Sequence, residues 1–393
     1  MQTYGTQYSP AFAGELRVPH GKARALELSE RKIIARRAAL ELSPNCVINV
    51  GVGTVPDQVP LVAGEERVQD LITLTVDPGV MGGVPMSGLD FGAAVNYQAV
   101  IDHCSEFDFI DGGGLDAAFL GFGECDSRGN VNASRFGTRI PGCGGFINIS
   151  QNAKKIVFVG TFTSGGLELA IENGHVRIAR EGKFAKFVET IGQTTFSAEY
   201  ARRRGREVLY VTERCVFRLG DHGLTLAEIA PGIDIERDIL ARLPFRPAID
   251  GSRLMDPAIF QPGPMGLRER MLDIRIGDRL SYDATTNTVY MNYAGMRIRT
   301  EADIRMIVDA VDALLGPLGK RVHSIVNYER FSYDDGLFEQ YVDAVKYVEE
   351  TYYLDVKRYT SGAFMRHKLG SELAKRQIVS EILDPQNASP VKR

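Results

Sequence analysis

The sequence predicts an α/β protein: a parallel-rich sheet flanked by helices, followed by a smaller C-terminal α/β unit. Short apolar, mostly β-branched runs recur at 46–50, 71–76, 155–159 and 207–211, and helix-like stretches precede the first two. Glycine pairs and triplets punctuate 77–166, where strands of such a sheet would end. Pro247, Pro257, Pro262 and Pro264 then interrupt the pattern, which resumes beyond Gly266.

The elements follow in order. Residues 1–22 form a polar arm rich in Gly, Pro and Ser, without the long apolar core of a signal peptide. A helix is expected over 23–41, where Leu26, Leu28, Ile33, Ile34 and Leu40 recur among Arg, Lys and Glu, with a stop at Ser43-Pro44-Asn45. The run Cys46-Val47-Ile48-Asn49-Val50 enters Gly51-Val52-Gly53-Thr54, a helix-like stretch follows, and Leu71-Ile72-Thr73-Leu74-Thr75-Val76 ends in a turn. Strand, glycine loop, helix and strand open a parallel sheet. Gly82-Gly83, Gly112-Gly113-Gly114, Gly144-Gly145 and Gly165-Gly166 permit positive φ and close backbone approach, so these loops either wall a ligand site or make tight turns. Gly220-Asp221-His222-Gly223 centres a hairpin, and 234–243 reads as a short helix before Pro244.

The first domain therefore spans 23–250, a linker 251–266 and the C-terminal unit 267–384, with a tail over 385–393. Within the last unit, 288–293 and 321–326 read as strands, and 301–315, 335–353 and 362–383 as helices.

At 393 residues, with 44% hydrophobic and 24% charged residues, the chain has the composition of a folded globular protein. A net charge of −4 gives no reason to expect nucleic acid or an anionic membrane as partner. Cys46, Cys104, Cys125, Cys143 and Cys215 contain no C-x-x-C pair and read as reduced cytoplasmic thiols, with Cys143 expected to be a small buried one. The scattered histidines show no metal-ligand spacing, and Pro56 stands where a dinucleotide fingerprint needs its third glycine. Neither a metal nor a nicotinamide cofactor is expected.

The chemistry concentrates at Val76-Asp77-Pro78-Gly79, a carboxylate where a buried strand ends. Pro78 and Gly79 suit the central positions of a type II turn, which would fix Asp77 at the first position. Glu124, in Gly123-Glu124-Cys125-Asp126, is a candidate second carboxylate for acid–base work, or a surface residue.

Several runs resemble one family. They are 74–85 around Asp77, 107–116 with its triple glycine, Gly129-Asn130-Val131-Asn132, Gly142-Cys143-Gly144-Gly145-Phe146-Ile147-Asn148, Thr212-Glu213-Arg214-Cys215-Val216-Phe217 and Ile229-Ala230-Pro231-Gly232-Ile233-Asp234. In order and spacing, over roughly 23–250, they look like the second half of the family I CoA-transferases of the acetate, propionate and 3-ketoacid type. The resemblance implies coenzyme A as substrate rather than resident cofactor, and a separate alpha-type partner chain in a hetero-oligomer. It also implies a nucleophilic carboxylate at Asp77, where the family has glutamate. Gly144 and Gly145 would offer amides to an oxyanion, and Gly79, Gly112, Gly113, Gly114, Asn130 and Asn132 would line the path of CoA. Because aspartate is shorter by one methylene, roughly 1.5 Å, two further readings stay open. In one, Asp77 is the base of a CoA-thioester hydrolase or carbon–carbon bond-cleaving enzyme. In the other, the chain is a non-catalytic subunit that binds CoA esters. Val326-Asn327-Tyr328, Tyr352-Tyr353 and 358–364 resemble an extension of the broader group, read as an interface or structural element.

Overall fold

The computed structural model describes residues 1–19, 26–334, 336–360 and, for their backbone, 381–383. The chain divides into two units, Met1–Leu42 with Cys46–Arg268, and Ser43–Asn45 with Glu269–Arg393.

In the first unit, helix α1 is Glu30–Ala39, and it begins where the Ser29 hydroxyl accepts the Lys32 amide. The expected start at 23 was too early: Leu26 and Leu28 keep the hydrophobic rhythm but precede that cap, and 23–25 lie outside the described residues. Strand β1 (Val47–Val50), helix α2 (Gln58–Glu65) and strand β2 (Thr73–Val76) follow as expected, with β1 and β2 parallel. The sheet continues through β3 (Val80–Met81), β4 (Ala99–Val100), β5 (Ala117–Gly121), β6 (Lys155–Val159), β7 (Glu207–Val211), β8 (Cys215–Gly220), β9 (Gly223–Ile229) and β10 (Ala248–Leu254). These strands form one sheet in the order β10-β9-β8-β7-β6-β5-β1-β2-β3-β4. Its centre, β7-β6-β5-β1-β2, is entirely parallel.

Two helices pack beside the strands that matter for the site: α3 (His103–Asp111) and α4 (Phe146–Asn152). Under them, Phe158 on β6 stacks at 5.4 Å on Tyr210 of β7 and meets Phe196 edge-on at 4.9 Å. Such aromatic contacts stabilise beyond the area they bury, so the central strands are held as one rigid floor.

Two segments depart from expectation. The stretch 246–266 was read as irregular, yet β10 pairs parallel with β9 as the edge strand. An edge strand tolerates flanking prolines because half its amides need no partner, and Pro247 and Pro257 stand just outside it. The helix read at 234–243 is a π-helical turn, Ile235–Ile239, followed by a 3-10 turn, Leu240–Arg242.

The second unit has a sheet in the order β11 (Leu280–Asp283), β12 (Thr288–Asn292), β13 (Val322–Asn327), β14 (Tyr353–Tyr359), β15 (Glu381–Leu383). Its amphipathic helices are Glu301–Leu315 and Phe338–Tyr352. The first carries a capping box in which Thr300 and Asp303 satisfy each other's amides. Ile304, Ile307, Val311 and Leu315 repeat at helical spacing and are buried in the core of this unit. The helix expected over 362–383 lies outside the described residues except at its end, where 381–383 is strand β15 instead. The tail over 385–393 also lies outside them. No helix among the described residues is long and apolar enough to cross a membrane.

Candidate active site

The site is built at the carboxyl ends of β1 and β2, where parallel sheets commonly receive ligands. Strand β2 does not simply stop after Val76. It returns antiparallel into β3, pairing Val76 with Val80, and the loop between them is Asp77-Pro78-Gly79. The Gly79 amide donates to the Val76 carbonyl at 2.9 Å, so Asp77 holds the second position of a 76–79 turn and not the first, as the type II reading required. Gly79 has φ +107°, and a Cβ there would stand 1.9 Å from the Ile101 carbonyl oxygen. Only glycine fits both demands, so Gly79 shapes the turn that presents Asp77.

Asp77 is gripped from the sheet. Asn49, fully buried on β1 and in register with Thr75, donates from Nδ2 to Asp77 Oδ1 at 3.0 Å and to Thr75 Oγ1 at 3.2 Å. The other oxygen faces Gly145: a Cβ added there would lie 3.0 Å from Asp77 Oδ2 and 2.7 Å from the Phe107 ring. Gly145 caps α4, and among the described residues neither its amide nor that of Gly144 is spent on a hydrogen bond. The fold thus brings Asp77, Gly79 and Gly145 together across 68 residues of sequence.

A residue absent from the sequence reading completes this wall. Glu106 on α3 is 0% exposed, and neither carboxyl oxygen has a hydrogen-bond partner. Burial first, and then the Asp77 charge, push its carboxyl up to about 7, while the Gly79 amide favours the charged form. The consequence for stability has a definite sign. Between the ordinary value of 4.5 and about 7 the folded protein keeps a proton that the unfolded chain has lost. Stability therefore declines as pH rises through that window and levels off above it. A difference on the order of 3 kcal/mol between wild type and Glu106→Gln is expected to build up across the window. Urea unfolding at a series of pH values checks it, and parallel curves for the two proteins would refute the assignment.

The remaining candidates are engaged in local structure of their own. Gly112, Gly113 and Gly114 close the far end of α3, where the Gly114 amide donates to the Phe109 carbonyl at 3.0 Å and Gly113 has φ +83°. That is a Schellman-type helix stop. Glu124 and Asn132 face each other in a short hairpin, with Asn132 Nδ2 donating to Glu124 Oε2 at 2.7 Å and the Gly192 amide to the same oxygen at 2.8 Å. Asn130 bonds Asp126 and accepts the Ala198 amide. One carboxyl oxygen of Glu124 and the side-chain amides of Asn130 and Asn132 are thus engaged within the fold. Cys143, expected to be buried, is exposed in the turn ahead of α4.

Asn49 and Glu106 were both detectable. A lone amide in a buried apolar strand needs a partner, and Glu106 stands four residues before Ile110 on the inward face of its helix.

With this geometry in place, comparison with known proteins is informative. The chain is 46% identical over 265 residues to the caffeate CoA-transferase of Acetobacterium woodii, across 66% of this chain and 50% of that protein. The crystal structure of the acyl-CoA transferase YdiF from Escherichia coli O157:H7 superimposes with a TM-score of 0.62 at 42% identity, over 67% of this chain and 49% of that one. The chain belongs to the family I CoA-transferases. No family model matches it. The chain spans about half the length of those relatives. It is also 28% identical to the acetate CoA-transferase subunit beta of Haemophilus influenzae, over 53% of this chain and 87% of that subunit. A further structure of YdiF is a thioester complex with CoA, with a TM-score of 0.61 at 41% identity over 67% of this chain and 48% of the other. The parallel-rich sheet flanked by helices is the fold this chain shares with YdiF over the superimposed residues.

Proposed function

We propose that this chain is the carboxylate-bearing half of an enzyme that moves coenzyme A from an acyl-CoA thioester to a carboxylic acid, with Asp77 as the nucleophile. The observation that carries the reading is a carboxylate fixed between Asn49 and Gly145 at the carboxyl end of a parallel sheet. Attack by Asp77 on the thioester carbonyl forms a mixed anhydride and expels the CoA thiolate. The thiolate then attacks the Asp77 carbonyl, releasing the first acid and leaving an Asp77 thioester. An acceptor carboxylate repeats the sequence in reverse and restores free Asp77. The unspent amides of Gly144 and Gly145 suit the oxyanion that develops in each attack, and donors so placed commonly contribute a few kcal/mol. That YdiF has been obtained as a thioester complex with CoA supports the covalent route.

The partner is an alpha-type chain that supplies the other half of the site. Its support is the half-length match to the longer relatives and the likeness to a protein named as a beta subunit. A cytosolic home follows from reading the cysteines as reduced thiols.

The test is the mass of the protein, purified with its partner chain and exposed briefly to acyl-CoA thioesters. A thioester-dependent increase that maps to the Asp77 peptide and is missing from Asp77→Asn is expected. Product formed from water alone, with no acceptor acid and no adduct, would replace transfer by hydrolysis with Asp77 as base.

A further inference from the structure

The second unit holds a cavity that the proposed transfer does not use. It is lined from the strands β12, β13 and β14 and from the helices Glu301–Leu315 and Phe338–Tyr352, and its volume is about 40 Å³. A single water needs roughly 10–15 Å³ of such space, so the cavity takes about three waters or one molecule the size of acetate or propionate. Ile307, Val311, Val326 and Val345 give it an aliphatic wall.

Arg358, on β14, lines the same cavity and is 1% exposed. Its Nη2 pairs with Glu349, and among the described residues its Nε and Nη1 have no hydrogen-bond partner. A buried charged donor left unpaired is costly, so the space beside it calls for an acceptor. The chain shows elsewhere what completes such a cation. Buried Arg214 is shared by two carboxylates, Glu213 at 2.6 Å and Glu181 at 2.7 Å, whereas Arg358 has Glu349 alone among the described residues. The other polar side chains of the lining are tyrosines that are already paired. Tyr293 and Tyr353 direct their hydroxyls at the Met291 sulfur, a weak acceptor, at 3.4 and 3.2 Å, and Tyr328 and Tyr341 bond each other at 2.9 Å. A guest therefore needs an oxygen acceptor for Arg358 and a short apolar body for the aliphatic wall.

We propose that this cavity binds a small aliphatic monocarboxylate of acetate to propionate size, its carboxylate accepting from Arg358 and its alkyl end packing on Val311 and Val345. Arg358 then balances the guest and Glu349 as Arg214 balances Glu213 and Glu181. Every lining residue belongs to the second unit, so the site does not involve Asp77. A free carboxylic acid is also the acceptor in the proposed transfer, but this inference needs none of those steps.

Equilibrium dialysis of the intact chain with radiolabelled propionate tests the site, at fixed ionic strength and with unlabelled propionate or propionamide as competitor. Two variants locate the binding. Arg358→Met combined with Glu349→Gln removes both charges and strands neither, while Val345→Phe fills the cavity and keeps both. Wild type is expected to bind propionate saturably, and the uncharged propionamide to compete at least about tenfold more weakly. Each variant is expected to lose this binding or weaken it by about tenfold or more, with thermal unfolding as the check that it folds. Equal propionate affinity in wild type and a folded variant would overturn the site, as would equal competition by propionamide. No propionate bound by wild type would mean a cavity filled by water only and would overturn it too. Should the paired change not fold, Val345→Phe and the propionamide comparison decide. No thioester enters the measurement, so the transfer reading stands or falls separately.

Discussion

Asp77→Asn is expected to lower the rate of acyl transfer on the order of 10⁴-fold while leaving the fold intact. The amide keeps the size of the side chain and can still meet Asn49 after a flip, but it lacks the electron pair that forms the anhydride. Asp77→Glu is the more discriminating change. Its carboxylate moves out by roughly 1.5 Å, and about 1 Å of displacement from attack geometry costs on the order of a hundredfold. One oxygen is already held by Asn49 at 3.0 Å, and the other faces Gly145. Asp77→Glu should therefore form its adduct about a hundredfold more slowly than wild type. A faster adduct in Asp77→Glu would mean that the turn has not adjusted to the shorter residue. The measurement is the first-order rate of adduct formation by quenched-flow mass spectrometry, with thermal unfolding as the check on folding.

The largest effect on stability is expected from Arg214→Met. Arg214 and Glu213 are both 0% exposed, joined by Nε to Oε1 at 2.6 Å. The guanidinium also bonds the Glu181 carboxylate at 2.7 and 3.0 Å and the Asp238 carbonyl at 3.0 Å, and it lies 4.6 Å over the Phe162 ring. Glu213 in turn accepts the Phe162 amide at 2.8 Å. Removing the cation strands a fully buried carboxylate, which typically costs about 3–5 kcal/mol. Replacing both members by apolar residues removes the stranded charge as well, so Arg214→Met combined with Glu213→Leu should recover much of the loss. Chemical denaturation of the two single variants and the double variant decides it. If the double variant lost the sum of the single losses, the pair would not be coupled as described.

Legibility in the sequence followed the range of the interactions involved. The β8–β9 hairpin is visible because Gly220 and Gly223 bracket it, and the 301–315 helix because its cap and apolar stripe are contiguous in the chain. Strand β5 was hidden: Ala117-Ala118-Phe119-Leu120-Gly121 has no β-branched residue, and only burial between β1 and β6 makes it a strand. Asn173-Gly174, a strong hairpin signal between Glu168–Glu172 and His175–Arg180, stood in the sequence and went unread. At the site, Asp77 was marked by its own turn, and Gly144-Gly145 by the family resemblance. Asn49 bonds Asp77 from a strand 28 residues away and Glu106, on a helix 29 residues away, feels its charge, so no local pattern joins them to it.

The Asn49 contact also links assembly of the sheet to the quality of its product. Side chains alternate between faces, so a slip of β1 by one residue against β2 would turn Asn49 to the opposite side and bring an aliphatic neighbour beneath Asp77. A misaligned molecule would lose the grip on its carboxylate in the same event that unsettles its core. The register of the sheet and the placement of that carboxylate are thus read by a single amide.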